Sequence, residues 1–355
     1  MTCSLDDSWI LRHASARRFY RDRPVLVLGG DGFLGQNCVR ALLGLGARVS
    51  SVSRRASLPR KPNLRELTGD LRDLHTVERA VDGQSVVFDF VGVYGPVDSN
   101  RHPRNSLLEE CLPQLNVAET CARLAQRPRI VFCSSRLVYG KPRHLPVDEA
   151  HPLSPQSIYA VSKVAAESLL ECYRNRFDVP YTVFRLSNPY GPHRFSHVRS
   201  YGVINHLIRR AVRGEPIELF GGGRQRRDYI FVEDVVGAFL LAAARAECAN
   251  EIFNLGGEHS LSMAEAAHTI VRLTGDVEVR SVPWPRDYEE VETGDYATDL
   301  RKVQRLVQPP AQISFDDGVA RTIAYYRGEL DTAKASDAGG RVRQRGSRGG
   351  RSRGR

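Results

Sequence analysis

The chain has 355 residues, 41% hydrophobic and 26% charged, which fits a folded globular protein of roughly two domains and excludes disorder throughout. The net charge of +10 is largely terminal, because residues 338–355 hold seven arginines and no acid, leaving +3 elsewhere. A basic body built to bind nucleic acid is therefore excluded. The longest near-unbroken apolar run, Val235 to Ala244, is ten residues and too short to span a bilayer.

Seven cysteines are scattered without a C-x-x-C pair, which predicts reduced thiols in a cytoplasmic protein rather than a disulfide framework or zinc site. Asp6 and Asp7, with no long apolar stretch, exclude a signal-peptide reading of the N-terminus. Residues 1–23 are polar and arginine-containing and read as an extension or surface helix. From Pro24 a clear pattern begins. Val25-Leu26-Val27-Leu28 predicts a buried strand, and Cys38, Val39, Ala41, Leu42 and Leu43 a helix stopped by Gly44 and Gly46. Arg48–Ser53, a segment ending near Thr68, Val86–Phe90 and Arg129–Cys133 predict further strands, with helical stretches between them. Alternation of this kind predicts an α/β protein with a parallel sheet covered on both faces. Residues 24–187 are expected to form this dinucleotide-binding domain, with part of the sheet completed by later segments. Residues 188–330, where Gly, Pro and Arg clusters break the pattern, read as a smaller substrate-binding lobe. Residues 331–355 read as a disordered Gly/Arg-rich tail with weak, salt-sensitive attraction to polyanions and no specific nucleic-acid role.

Gly29-x-x-Gly32-x-x-Gly35 lies between a strand and a helix, where a phosphate loop belongs. Gly29 permits the tight turn, Gly32 close approach of pyrophosphate to backbone, and Gly35 close packing of helix on strand. Phe33 and Leu34 open the helix and complete the cofactor loop. The second strand ends in Ser53, followed by Arg54 and Arg55 rather than an acid. These arginines suit a ribose 2′-phosphate, which leans the choice between NAD and NADP toward NADP; solvated strand-end arginines are the plain alternative. Asp70, followed by Leu71, is placed to accept from an adenine amino group or to cap a helix.

Ser135, Tyr159 and Lys163 carry the chemistry. Tyr159-x-x-x-Lys163 puts phenol and ammonium on one helical face, one turn apart. A tyrosine with an ordinary pKa of about 10 needs adjacent positive charge to act as a base near neutrality. Ser135, at a strand end, would donate to the substrate oxygen. Tyr-x-x-x-Lys alone arises often by chance on surface helices; the glycine loop and strand-end serine give it weight. His144, His151, His193 and His197 lie in proline-containing stretches without metal spacing and read as surface or cleft-rim residues, and no metal is expected.

With these residues in view, the sequence resembles the extended short-chain dehydrogenase/reductases, specifically the NAD-dependent epimerase/dehydratase family. The likeness rests on Gly29-Gly30-Asp31-Gly32-Phe33-Leu34-Gly35, Gly69-Asp70-Leu71, Ser134-Ser135-Arg136-Leu137-Val138-Tyr139-Gly140 and Tyr159-Ala160-Val161-Ser162-Lys163. It continues through Arg185–Pro192, Arg226–Asp234 and Phe253–Gly256, covering about residues 24–328. The resemblance implies a Rossmann-type doubly wound parallel sheet with a smaller C-terminal lobe, a homodimer, and a nucleotide-diphosphate sugar as substrate. It implies that Asn116 supports the lysine through a water, that Ser99 contacts substrate from a loop, and that Asn188, Arg227 and Arg286 bind the diphosphate. For Arg224, Arg226 and Arg227 a solvated basic loop is the alternative. Family dehydratases resemble one another in an Asp-Glu pair after the catalytic hydroxyl residue; here Arg136 and Leu137 stand there, and neither does acid–base work. The expected reaction is therefore C4 epimerisation through transient oxidation. The alternatives are a nucleotide-sugar ketoreductase or decarboxylase, and a catalytically silent sugar-nucleotide-binding or RNA-associated protein.

Overall fold

The computed structural model describes residues 8–55, 58–193, 202–275 and 277–346, with 332–346 as backbone alone. Two short helices, α1 (Trp9–Arg12) and α2 (Ala14–Tyr20), precede the sheet. Then come β1 (Pro24–Leu28), α3 (Phe33–Gly44), β2 (Arg48–Ser53), β3 (Leu64–Thr68), α4 (Leu74–Val81) and β4 (Val86–Asp89). Next are α5 (Pro96–Arg101), α6 (Pro103–Arg123), β5 (Arg129–Ser135), α7 (Ile158–Phe177) and β6 (Tyr181–Leu186). The remaining strands are β7 (Asn188–Tyr190), β8 (Ile217–Phe220), β9 (Arg226–Phe231), β10 (Glu251–Leu255), β11 (Ser260–Ser262) and β12 (Val279–Val282). Among and after them run α8 (Val203–Val212), α9 (Val232–Ala244), α10 (Met263–Thr274), α11 (Arg286–Glu289), α12 (Arg301–Leu306) and α13 (Phe315–Gly346).

Seven strands form one sheet in the order β10-β6-β5-β4-β1-β2-β3, and every pair in it is parallel. Val25 to Leu28 are fully buried, as a central strand covered on both faces must be. One face is covered by α3 and α9 with the N-terminal helices, the other by α4, α6 and α7. The order reverses between β1 and β4, and the strand ends there open the crevice where ligands bind in such sheets. Chain order and lobes interleave. After β7 to β9, the chain returns to the sheet through α9 and β10 before going back to the lobe. The lobe holds β9 between β11 and β7, the pair β8–β12, and a core from α8, α10 and α13.

The ten-residue apolar run lies in α9, which is buried from Val232 to Ala243. It needs cover on every side, and the N-terminal segment supplies part of that cover. Ile10, Ala16 and Tyr20 are fully buried, Trp9 donates from Nε1 to Asp234 at 3.1 Å, and Tyr20 donates to the Leu240 carbonyl at 2.9 Å. Residues 9–20 are thus part of the core rather than a surface extension; apolar residues spaced too widely for a periodic signal hid this. At the other end α13 carries helical backbone through Gly346, where the tail's composition predicted none. Its docked first turns provide the nucleus that an isolated Gly/Arg segment lacks. Residues 347–355 of the expected tail lie outside the described residues. No helix among the described residues is long and apolar enough to cross a membrane.

His151 and His193 are buried, not on the surface or rim, while His144 is exposed and His197 lies outside the described residues. His193 packs edge-on against Phe33 at the start of α3, with its Nδ1 2.6 Å from the Gln36 amide. Burial, aided by Arg209, pulls its pKa down to about 4.

Two expectations follow. A Cβ on Gly237 of α9 would stand 2.1 Å from the Trp9 ring. Gly237→Ala should lower stability by about 1–3 kcal/mol and red-shift tryptophan emission, since overpacking must displace the indole. Unchanged melting and emission would exclude the packing described. For His193, the folded pKa lies below the unfolded value, so the unfolded chain binds the proton first as pH falls. Stability from this group is complete above pH 6.5 and is lost toward pH 4, by roughly 3 kcal/mol in total. His193→Gln should flatten the pH dependence of unfolding free energy across that window, and an unaltered slope would refute the assignment.

Candidate active site

The glycine loop closes tightly on itself. Gly29 has φ +71°, a left-handed conformation that favours glycine, and its carbonyl accepts from the Gly32 amide at 3.0 Å. A Cβ at Gly35 would fall 2.0 Å from the Gly29 oxygen, so the first turn of α3 packs directly on the end of β1. No side chain caps α3 at Gly32. Phe33 and Leu34 bury their side chains, so what they present at the helix N-terminus is backbone N–H, the group that binds a phosphate. A groove runs from this loop past Ser53 and Arg54 to Asp70, Leu71 and residues 90–93. Its shape and donors fit a dinucleotide.

Arg54 and Arg55 are exposed at the groove's edge, and Arg54 pairs with Glu109 of α6 at 3.1 Å. Asp70 holds Arg72 through both carboxylate oxygens, which lowers its pKa. The cap of α4 is Asp73, which accepts from the His75 and Thr76 amides, so helix capping is not the task of Asp70. The side-chain amide of Asn116 donates to the carbonyls of Leu71 at 2.9 Å and Arg72 at 3.1 Å, so it braces the groove floor.

Beyond the groove, β5 ends in Ser135, which caps the short turn Arg136–Tyr139 by accepting from the Leu137 amide at 3.2 Å. Across from it α7 starts at a capping Ser157, which places Tyr159 in the first turn. The phenol of Tyr159 lies near the hydroxyl of Ser135, whose influence lowers its pKa. One turn on, Lys163 is buried and donates to the carbonyls of Cys133 at 3.0 Å and Val91 at 3.2 Å. Its ammonium stands 5.7 Å from the Tyr159 ring centroid. An ammonium has three donors, so one remains for a ligand. Burial holds the Tyr159 pKa above its ordinary value, reinforced by Cys133 and Glu110, while Ser135 and Arg136 pull the other way. The chain's own groups therefore keep Tyr159 protonated.

The resemblance placed Ser99 in a loop touching substrate. It lies instead within α5, fully buried, donating to the Pro96 carbonyl at 2.8 Å and accepting from the Tyr159 amide at 3.0 Å. Ser99 thus sets the entry of α7. Asn188 donates to the Ser187 hydroxyl and the Asp228 carbonyl. Arg227 is buried, not solvated, and donates to Glu292 and the Gly294 carbonyl. Any diphosphate must therefore compete with Glu292 for it. Arg286 projects from α11, largely exposed, and pairs with Glu290. Two carboxylates escaped the sequence reading. Asp228 accepts from Ser187 and Thr298 and joins the lobe to the sheet, and its place beside Arg227 in the quoted motif was the available signal. Glu110, buried in α6, accepts from the Tyr94 amide at 3.1 Å, and nothing in its spacing marked it.

Residues 25–256 match a family described as the NAD dependent epimerase/dehydratase family. The low-salt glycan biosynthesis protein Agl12 of Haloferax volcanii is 30% identical over 86% of this chain and 99% of its own length. Other relatives are named UDP-glucose 4-epimerase, dTDP-D-glucose 4,6-dehydratase and UDP-N-acetyl-alpha-D-glucosaminuronate decarboxylase. Among solved structures, the Thermotoga maritima UDP-glucose 4-epimerase with UDP-glucose superposes with TM-score 0.78 at 26% identity, covering 86% of this chain and 99% of that one. The Thermus thermophilus UDP-glucose 4-epimerase complexed with NAD gives TM-score 0.77 at 27% identity, with the same coverage. A parallel seven-stranded sheet, a phosphate-ready glycine loop and a Ser–Tyr–Lys cluster meet in one crevice, and with a match over most of the chain they make this protein a member of the NAD dependent epimerase/dehydratase family.

Proposed function

We propose that the protein is a nucleotide-diphosphate-sugar 4-epimerase. The observation that carries this reading is the juxtaposition of Tyr159 and Ser135 beside the dinucleotide groove, with Lys163 one turn behind, 5.7 Å from the Tyr159 ring centroid and bonded to the Cys133 and Val91 carbonyls. Ser135 orients the 4-hydroxyl, and Tyr159 takes its proton once the positive charge of an oxidised nicotinamide offsets the burial that otherwise keeps the phenol protonated. Lys163 holds α7 in place and adds the positive field that phenolate formation requires. The Gly29–Gly35 loop and the N-terminus of α3 would hold a nicotinamide dinucleotide by its pyrophosphate, and that group, when bound, would supply the reversible hydride chemistry that C4 epimerisation needs. Asn188 and Arg227 support the diphosphate, a non-reacting part whose contacts mainly set KM. Arg136 and Leu137 supply no acid–base pair for C5 and C6, which favours epimerisation over dehydration.

Exposed Leu107 and Leu108 on α6 and Val161 on α7 support a homodimer through these two helices. The free cysteines among the described residues support a cytoplasmic setting. Arg54 and Arg55 support NADP alongside NAD, because a surface pair such as Arg54–Glu109 is weak and readily exchanged for a phosphate.

Incubated with UDP-, dTDP- or GDP-hexoses, the protein should form the C4 epimer without added reductant, and Tyr159→Phe should reduce turnover by about 10²–10⁴. Solvent deuterium at C5, a 4-keto-6-deoxy product, or activity of Tyr159→Phe within a few-fold of the parent would overturn the assignment. Stoichiometric consumption of NADPH would identify a ketoreductase instead. By calorimetry, the double variant Arg54→Ala, Arg55→Ala should lose about tenfold in NADP affinity and little in NAD affinity. Equal effects on both cofactors would remove the 2′-phosphate reading.

A further inference from the structure

Arg136, directly after Ser135, spans from the end of β5 to the lobe. Its guanidinium donates to Thr293 Oγ1 at 3.0 Å and lies 4.9 Å from the Tyr296 ring centroid. Only 7% of the residue is exposed. Of the buried arginines among the described residues, Arg185 is neutralised by Glu167 at 2.7 Å and Arg227 by Glu292. Arg136 has no carboxylate within ion-pair distance among the described residues. Of the nearby acids, Asp228 is taken up by Ser187 and Thr298 and Glu292 by Arg227, and the charge of Arg227 repels that of Arg136. A buried cation with no carboxylate partner is unfavourable until an anion joins it. Here the cation adjoins the reacting pair, and its field reaches the Tyr159 phenol.

We infer that Arg136 receives a carboxylate borne by the sugar ring itself, so that the preferred substrate class is a nucleotide-diphosphate hexuronate. The inference rests on the nucleotide-sugar reading above. A carboxylate and a diphosphate share the chemistry a guanidinium recognises. The sugar is the better source because residue 136 follows the serine that orients the reacting hydroxyl, whereas Arg227 stands on β9 in the lobe.

Calorimetry on the NAD-loaded protein with UDP-glucuronate, UDP-glucose and UDP separates the sources. The parent should bind UDP-glucuronate about 10- to 100-fold more tightly than UDP-glucose, the range of a hydrogen bond to a charged partner. Arg136→Met, which keeps length and removes charge, should collapse that ratio to within about threefold, and Arg136→Lys should retain part of it. Equal or tighter binding of UDP-glucose by the parent overturns the inference without need of any variant. So does a loss in Arg136→Met that is the same for all three compounds, because that places the diphosphate on Arg136. If none of the three binds the NAD-loaded protein, the nucleotide-sugar reading fails and the inference with it. Product analysis tells the two apart further: a C4-epimeric UDP-uronate supports both, while release of carbon dioxide with formation of a UDP-pentose from UDP-glucuronate sustains the carboxylate site but overturns the epimerase reading.

Discussion

A buried ammonium has to find acceptors, and Lys163 finds two in the carbonyls of Cys133 and Val91. Those oxygens belong to the end of β5 and the segment after β4, so the bonds lock α7 onto two adjacent strands. One helical turn earlier on the same face is Tyr159, which is thereby set against Ser135 at the tip of β5. Ser99 fixes the start of the helix by accepting the Tyr159 amide, so the phenol is positioned from both sides. The crevice chemistry depends on this one constraint. Without it, neither the register of α7 nor the placement of Tyr159 near Ser135 is determined.

Several of the other buried charges are neutralised within the fold, whereas Arg136 has no carboxylate partner among the described residues. Arg185 and Glu167 pair beneath the site, with Ser134 and Tyr139 completing their hydrogen bonds. Arg227 and Glu292 pair within the lobe, and Asp228 joins Ser187 of the sheet side to Thr298 of the lobe side. Such pairs contribute little net stability but break severely when one partner is removed. They hold the two halves in one arrangement. Arg136 stands among them with a hydroxyl and an aromatic ring and no opposite charge, which is the electrostatic asymmetry of the crevice.

The N-terminal segment and α9 show how a local sequence feature acquires its meaning from a distant one. A ten-residue apolar helix cannot face water, and its outer side is closed by residues more than 200 positions away, through Trp9–Asp234 and Tyr20–Leu240. Gly237 leaves the space that the Trp9 ring fills.

Local rules were enough to read the glycine loop, the alternating strands and helices, and the Ser135, Tyr159 and Lys163 cluster. Each depends on spacing within a few residues: a positive φ at Gly29, a bare helix N-terminus after Gly32, a four-residue step along α7. The fate of a polar side chain depends instead on what tertiary structure brings beside it. Asn116 turned to the Leu71 and Arg72 carbonyls, Ser99 to the Tyr159 amide, and Arg227 to Glu292, because those partners lie 45, 60 and 65 positions away. The burial of His193, the docking of residues 9–20 and the lack of a carboxylate at Arg136 are likewise long-range outcomes. Sequence alone determined which backbone could cradle a dinucleotide and which phenol stood one turn from an ammonium; only the packing of lobe on sheet decided which charges were neutralised and which was left for a ligand.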